Sequence, residues 1–290
     1  MAIRGSVCAL ITPFNAQGDI DFEKLKKLVQ WHIEAKTDAL VLCGTTGEAP
    51  TLDDEEKLAI FRTAVQTAKG KIPLIAGTGT YDTRKTLLQT RRAKEIGVDA
   101  CLVVFPYYSR PTPEGCFAHF ELVAKVGLPV ILYHHPGRCG IKMAPEVLAQ
   151  MSHIPGVIGI KEATGDIEYG KQILGLTRTP LFAGDDHITL PLMQAGAIGV
   201  ISVVANVIPA EWKQYIDIIS QGKISKAQTV YQGLAPLVQS MTLETNPQCV
   251  KYAASLLGKS SPFMRLPLLE PRIPTKEKIA EAMKVLKFLV

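Results

Sequence analysis

Residues 129–161 read PVILYHHPGRCGIKMAPEVLAQMSHIPGVIGIK, and two apolar runs in this stretch decide the fold. Pro129 to His134 and Val157 to Lys161 are short and rich in Val, Ile and Leu, and they are separated by a segment long enough for a helix. Neither run alternates with polar residues, which is what strands covered on both faces require. Parallel neighbours need a crossover connection of this kind, so the stretch reads as one β-α-β unit.

The unit repeats in both directions along the chain. Six further runs are Val7 to Phe14, Asp38 to Gly44, Pro73 to Gly77, Asp99 to Pro106, Pro180 to Gly184, and Ile198 to Val204. Between them lie helix candidates. Asp21 to Ala35 spaces Phe22, Leu25, Leu28, Val29, His32 and Ile33 on one face, and Asp53 to Lys69 opens with acids that suit a helix N-terminus. Gly70, Gly97, Gly127 and Gly196 close the gaps before the next strand. Eight such units in about 200 residues fit a closed (β/α)8 TIM barrel, an α/β fold, better than an open sheet of five or six strands.

The remainder predicts helices over Trp212 to Ile219, Ser225 to Leu237, Pro247 to Leu257 and Thr275 to Phe288. The first completes the barrel, and the others form a C-terminal helical appendage. We expect a barrel catalytic domain over 1–222 and a packed helical segment over 223–290, with no linker-like tract between them.

Composition excludes several function classes. The chain has 290 residues, 47% hydrophobic and 20% charged, with a net charge of +5. Its basic residues are scattered, and the densest run, Arg84 to Lys94, is interrupted by Leu87, Leu88 and Ala93, as a solvated helix face would be. No nucleic-acid partner is expected. The longest apolar stretch, Ala197 to Ala210, is broken by Ser202, Asn206 and Pro209, so a soluble protein with no membrane partner is predicted. Val7 to Ile11 is too short for a signal-peptide core. The six cysteines include no C-x-x-C pair and suit a reducing cytoplasm.

A barrel's active site lies at the C-terminal ends of its strands, where polar residues are candidates for chemistry. Lys161 ends an apolar strand, and period-two alternation predicts that it shares a face with Val157 and Gly159. An ion pair with Glu162 or Asp185 is its structural alternative. The functional reading is a Schiff-base nucleophile, since imine formation consumes a neutral amine and an apolar barrel favours the uncharged form of such a group. An imine also needs a proton carrier, and Tyr133 on the adjacent strand suits that role. Thr45 and Thr46, between two glycines, offer hydroxyls and backbone N–H groups for a carboxylate or a relay. Arg138 has the fork geometry for a substrate carboxylate.

Two patterns are set aside. Gly165 to Gln172 reads G-x-x-x-x-G-K-Q, but it lacks the metal-binding hydroxyl of a phosphate loop, and Asp166 and Glu168 would repel phosphate. His134 and His135, with Asp185 and Asp186, suggest a metal aldolase, but adjacent strand residues face opposite ways and no further His motif completes a ligand shell.

Taken together, ITPF at Ile11, GTTGEA at Gly44, AGTG at Ala76, PYYSRPTPEG at Pro106, GIKEATGD at Gly159, GDD at Gly184, GVISV at Gly199 and NP at Asn246 run over essentially the whole chain. On these motifs the sequence resembles the dihydrodipicolinate synthase and N-acetylneuraminate lyase superfamily of class I aldolases. The tyrosine pair, the second threonine of GTTGE and Arg138 resemble its lysine- and diaminopimelate-pathway synthase branch, whereas sialic-acid lyases lack that arginine. The resemblance implies a pyruvate imine on Lys161, with Tyr133, Thr45 and Tyr108 as proton relay and Tyr108 reaching a neighbouring subunit's site. It implies that Thr46 binds the pyruvate carboxylate, Arg138 binds the carboxylate of L-aspartate 4-semialdehyde, and backbone groups of Gly184 and Ile201 line the pocket. It further implies a cytoplasmic homotetramer, a dimer of dimers, that needs no cofactor and no metal. The alternatives are a lyase or aldolase for sialic acid or a 2-keto-3-deoxy sugar acid, and a non-catalytic keto-acid sensor. The sequence departs from the family's usual Tyr-Asn-Val/Ile-Pro at Tyr133-His134-His135-Pro136, and from its common Thr at Cys139.

Overall fold

A computed structural model describes residues 3–286. Its strands are β1 (Gly5–Ala9), β2 (Ala39–Leu42), β3 (Leu74–Gly77), β4 (Ala100–Val104), β5 (Val130–His134), β6 (Val157–Glu162), β7 (Leu181–Ala183) and β8 (Gly199–Ser202). They pair in parallel in chain order, and β8 closes on β1 as a barrel. Closure brings Gly199 against Gly5 so tightly that a side-chain carbon on Gly199 would strike the Gly5 backbone. Glycine is required there by space.

The barrel helices are α1 (Phe22–Glu34), α2 (Asp54–Ala68), α3 (Thr83–Ile96), α4 (Pro113–Ala124), α5 (Pro136–Cys139), α6 (Pro145–Met151), α7 (Ile167–Leu176), α8 (Thr189–Ala195) and α9 (Pro209–Ser220). Local chemistry sets their ends. Asp21 caps α1, and Asp53 and Glu56 form a reciprocal capping box on α2. Asp166 caps α7 by accepting from the N–H groups of Glu168 and Tyr169, so the discarded phosphate-loop pattern has its helix start already occupied by a carboxylate. The basic run Arg84 to Lys94 lies in α3.

Two cores follow from strand alternation. Val7, Ala9, Ala39, Val41, Ile75, Ala100, Leu102, Ile131, Tyr133, Phe182 and Ile201 fill the barrel interior. Their neighbours along the strands, such as Cys8, Leu40, Cys101 and Leu132, pack outward against the helices. Each fully buried aliphatic side chain contributes about 1.5–3 kcal/mol, which is why both faces are apolar. All six cysteines are buried and free.

The structure corrects three expectations. The run from Val7 to Phe14 is a strand only to Ala9. Leu10, Ile11 and Phe14 leave the ladder and pack in the outer core, where Phe14 bridges Ile20. Second, Val157 does not share a face with Lys161. The β5–β6 register shifts between Val130 and Ile131, so that Val130 pairs with Val157 but Ile131 pairs with Gly159. The extra residue, Ile158, turns Val157 outward and brings Tyr133 directly opposite Lys161, since a one-residue slip exchanges strand faces. Third, the last helix begins at Ile273, two residues earlier than expected, and is described to Val285; the predicted end at Phe288 lies outside the described residues.

Helices α10 (Ile224–Ser240), α11 (Gln248–Leu256) and α12 (Ile273–Val285) follow α9. Helix α10 packs on α9 and α12, and the segment after it runs over the barrel mouth. No helix among the described residues is long and apolar enough to cross a membrane.

Candidate active site

The C-terminal ends of the strands open onto a cavity of about 200 Å³, floored by Ala9, Val41 and Leu102. Its walls carry Thr45, Thr46, Tyr133, Arg138, Lys161 and Gly184, six of the predicted site residues. The space suits small acids, not nucleotide-sized ligands.

Lys161 is 5% exposed, and its Nζ lies 4.3 Å from the centre of the Tyr133 ring. It pairs in register with Tyr133 of β5 and Phe182 of β7. Gly159, two residues earlier on the same face, leaves the space that Phe182 fills. Among the described residues Lys161 has no ion-pair partner, so the structural alternative of a pair with Glu162 or Asp185 is not realised.

Glu162 takes the opposite face. Its Oε1 accepts from the Thr164 N–H at 2.6 Å, while Oε2 is buried with no partner among the described residues. Burial pushes this carboxyl up to about 7. With the folded value above the unfolded 4.5, the folded state holds its proton more tightly, and stability is lost as pH rises through the window from about 4.5 to 7. Glu162→Gln is therefore expected to match wild type near pH 4 and to be up to about 3 kcal/mol more stable at pH 8. Urea unfolding at the two pH values checks this, and an equal difference at both would refute it.

Thr45 and Thr46 lie on a loop bracketed by two left-handed residues, Cys43 (φ 52°) and Glu48 (φ 56°). Such backbone is costly for a residue with a side chain and persists only where its surroundings hold it. Thr46 Oγ1 accepts from Asn246 Nδ2 at 3.0 Å, and the Arg138 guanidinium donates to the Asn246 carbonyl at 3.2 Å. One C-terminal residue thus ties together the two candidate carboxylate-binding side chains. Met241, Thr242 and Glu244 complete that wall. The sequence pattern gives this segment no role beyond the Asn-Pro pair at Asn246.

Gly184 lines the cavity with bare backbone. A side chain there would meet Ala163 and the Glu162 carbonyl, and its N–H donates to that carbonyl at 2.6 Å. Two predicted residues lie elsewhere. Ile201 pairs with Val7, one pleat below Ala9, so its side chain fills the barrel interior; Val203, two positions on, lines the cavity instead. Tyr108 (φ 70°) is 93% exposed on the loop after β4, outside this chain's own cavity.

The two histidines diverge as alternation predicts. His134 faces outward, where Nε2 accepts from the Met143 N–H at 3.1 Å and the ring stacks on Tyr169 at 5.5 Å. The Tyr169 hydroxyl donates to the Met143 carbonyl, so the pair pins the segment before α6. His135 faces the cavity.

A sequence model of the Dihydrodipicolinate synthetase family matches residues 2–286. The chain is 44% identical over 269 residues to a 4-hydroxy-tetrahydrodipicolinate synthase of Saccharophagus degradans, covering 92% of each protein, and 42% identical to one of Geotalea daltonii, covering 99% of each. Among solved structures it resembles the chloride-inhibited dihydrodipicolinate synthase of Acinetobacter baumannii complexed with pyruvate, with a TM-score of 0.97 at 37% identity over 99% of this chain and 100% of that one. The dihydrodipicolinate synthase of Aquifex aeolicus matches with a TM-score of 0.95 at 38% identity over 98% of each.

Proposed function

The chain belongs to the dihydrodipicolinate synthetase family, and from that premise we propose that it condenses pyruvate with L-aspartate 4-semialdehyde, as the 4-hydroxy-tetrahydrodipicolinate synthases of lysine and diaminopimelate synthesis do. It is a lyase of the class I aldolase type. The observation that carries the reading is Lys161, buried over the Tyr133 ring without an ion-pair partner among the described residues, in one cavity with Thr46 and Arg138.

In this mechanism Lys161 Nζ attacks the keto carbon of pyruvate, and water leaves as the imine forms. Tyr133 and Thr45, with Tyr108 supplied by a neighbouring subunit, carry the protons. Thr46 holds the pyruvate carboxylate, and the imine loses a methyl proton to become an enamine. The enamine carbon attacks the aldehyde carbon while Arg138 holds the aldehyde substrate's carboxylate. The substrate's own amine then displaces Lys161 from the imine, closing the ring and freeing the lysine. Backbone groups of Gly184 and of the β8 end, at Ile201 and beyond, shape the pocket.

The near-complete exposure of Tyr108 supports a partner subunit that uses it, and hence a homotetramer arranged as a dimer of dimers. The six buried free thiols support a cytoplasmic setting. We retain 1–222 as the catalytic barrel and 223–290 as a helical segment packed on it. The sugar-acid aldolase alternative is not favoured, since the relatives at 42–44% identity are synthases.

Arg138→Ala tests the assignment. Loss of a charge-assisted carboxylate contact is expected to lower kcat/KM for aspartate 4-semialdehyde about 100-fold, with pyruvate binding unchanged. Intact turnover of that aldehyde by the variant would remove the synthase assignment.

A further inference from the structure

His135 and His187 both line the cavity without a part in the mechanism above, and of the two His135 shares a turn with Arg138 and packs on Tyr133. Its carbonyl accepts from the N–H groups of Arg138 and Cys139 at 3.0 Å, so its ring and the Arg138 guanidinium project from the same turn. The ring stands edge-on to Tyr133 at 6.0 Å between centres. Nδ1 is buried without a partner among the described residues and lies on the Gly137 side of the ring. That leaves Nε2 as the nitrogen available to the cavity.

The charge state follows from the surroundings. Burial lowers this imidazole most, the Arg138 and Lys161 cations lower it further, and Asp185 opposes them, leaving it at about 4. Around neutral pH the ring is therefore uncharged and carries one acceptor nitrogen. Such a weakly basic group does not take the proton from an alkylammonium, but it can accept a hydrogen bond from one.

We propose that His135 determines specificity for the second substrate, with Nε2 accepting a hydrogen bond from the ammonium group on the carbon that bears the Arg138-bound carboxylate. This rests on the synthase reading. A carboxylate and an ammonium on one carbon match a guanidinium and an imidazole lone pair on one turn, with the Asp185 carboxylate in the same wall adding attraction for the cation. Held at both groups, the substrate has its aldehyde end free to turn toward Lys161. The site then recognises an α-amino acid aldehyde, where Arg138 alone would recognise any short acid aldehyde.

The test uses the full chain in single-turnover form, with pyruvate and either L-aspartate 4-semialdehyde or its des-amino analogue, 4-oxobutanoate. Borohydride quenching and mass spectrometry follow the disappearance of the pyruvate adduct from Lys161 after the aldehyde is added, a measure that holds even where the condensed product leaves the lysine. Wild type is expected to condense the amino aldehyde about 10- to 100-fold faster, the factor set by a hydrogen bond to a charged group. His135→Val is expected to lose that factor for the amino aldehyde alone, with the pyruvate adduct unchanged. His135→Gln is expected to keep most of it, because Oε1 reaches where Nε2 stood. An equal loss for both aldehydes would mean that His135 only supports Arg138 or Tyr133, and no loss would mean that it does nothing; either overturns the proposal. If valine disturbs the fold, seen as a lost pyruvate adduct, His135→Gln decides, and loss of discrimination there also overturns it. A wild type that forms the pyruvate adduct but condenses neither aldehyde would instead fail the synthase reading.

Discussion

Incubated with pyruvate and reduced with borohydride, the protein is expected to gain one adduct, on Lys161, and Lys161→Ala is expected to gain none while losing about 1000-fold or more in turnover. The size follows from the chemistry. Removing the amine removes the covalent route, and neither Tyr133 nor Thr45 can substitute as an electron sink for the pyruvate methyl carbon. Lys161→Arg is expected to fail equally, because it restores a cation but not a nucleophile. A stability measurement adds a second arm. A buried amine without an ion-pair partner is a cost to the fold, so Lys161→Met, which fills the same space, is expected to melt at or above the wild-type temperature. Activity and stability moving in opposite directions would mark a residue kept for its reaction. An adduct on a different lysine, or a Lys161→Met variant that is both inactive and unstable, would count against that role.

The residues at the strand ends were legible because a parallel barrel needs apolar strands on both faces, so that a lysine or tyrosine closing such a run stands out. The register was not. Tyr133 meets Lys161 only because of the bulge at Ile158, and a bulge answers to the neighbouring strand, which no local pattern reports. The cavity's C-terminal wall was hidden for a similar reason. Asn246 bonds a side chain 200 residues earlier, and neither helical period nor composition says that the loop after α10 folds over the barrel mouth. Lys251 was hidden in plain sight, since a lysine on an amphipathic helix ordinarily reads as solvated surface. It is fully buried, and its partner is the acid that ends the Gly44–Glu48 loop.

Lys251→Met is the variant expected to damage the fold most. Lys251 and Glu48 form an ion pair in which both side chains are 0% exposed. Burial draws the Lys251 ammonium down to about 8 against the pull of Glu48, and its Nζ sits 4.0 Å from the centre of the Phe14 ring. The other Glu48 oxygen accepts from the Arg265 N–H at 3.2 Å, and the Arg265 side chain makes a bidentate pair with Glu56, the capping-box residue of α2. Removing one member of a buried pair strands the other, at about 3–5 kcal/mol, or roughly 10 °C in Tm. Glu48→Gln together with Lys251→Met leaves no stranded charge, so the double variant is expected to recover more than half of that loss. The pair also reaches the site. Glu48 holds a left-handed backbone at the end of the loop that carries Thr45 and Thr46, and with Lys251 gone its surroundings no longer enforce that conformation. Pyruvate affinity is therefore expected to weaken in Lys251→Met well below its melting temperature, although Lys251 does not line the cavity. Thermal unfolding of the four proteins of the cycle, with pyruvate titrations alongside, separates the two effects. A Tm loss of only a degree or two for the single variant, or a double variant less stable than either single one, would show that the pair does not hold this loop.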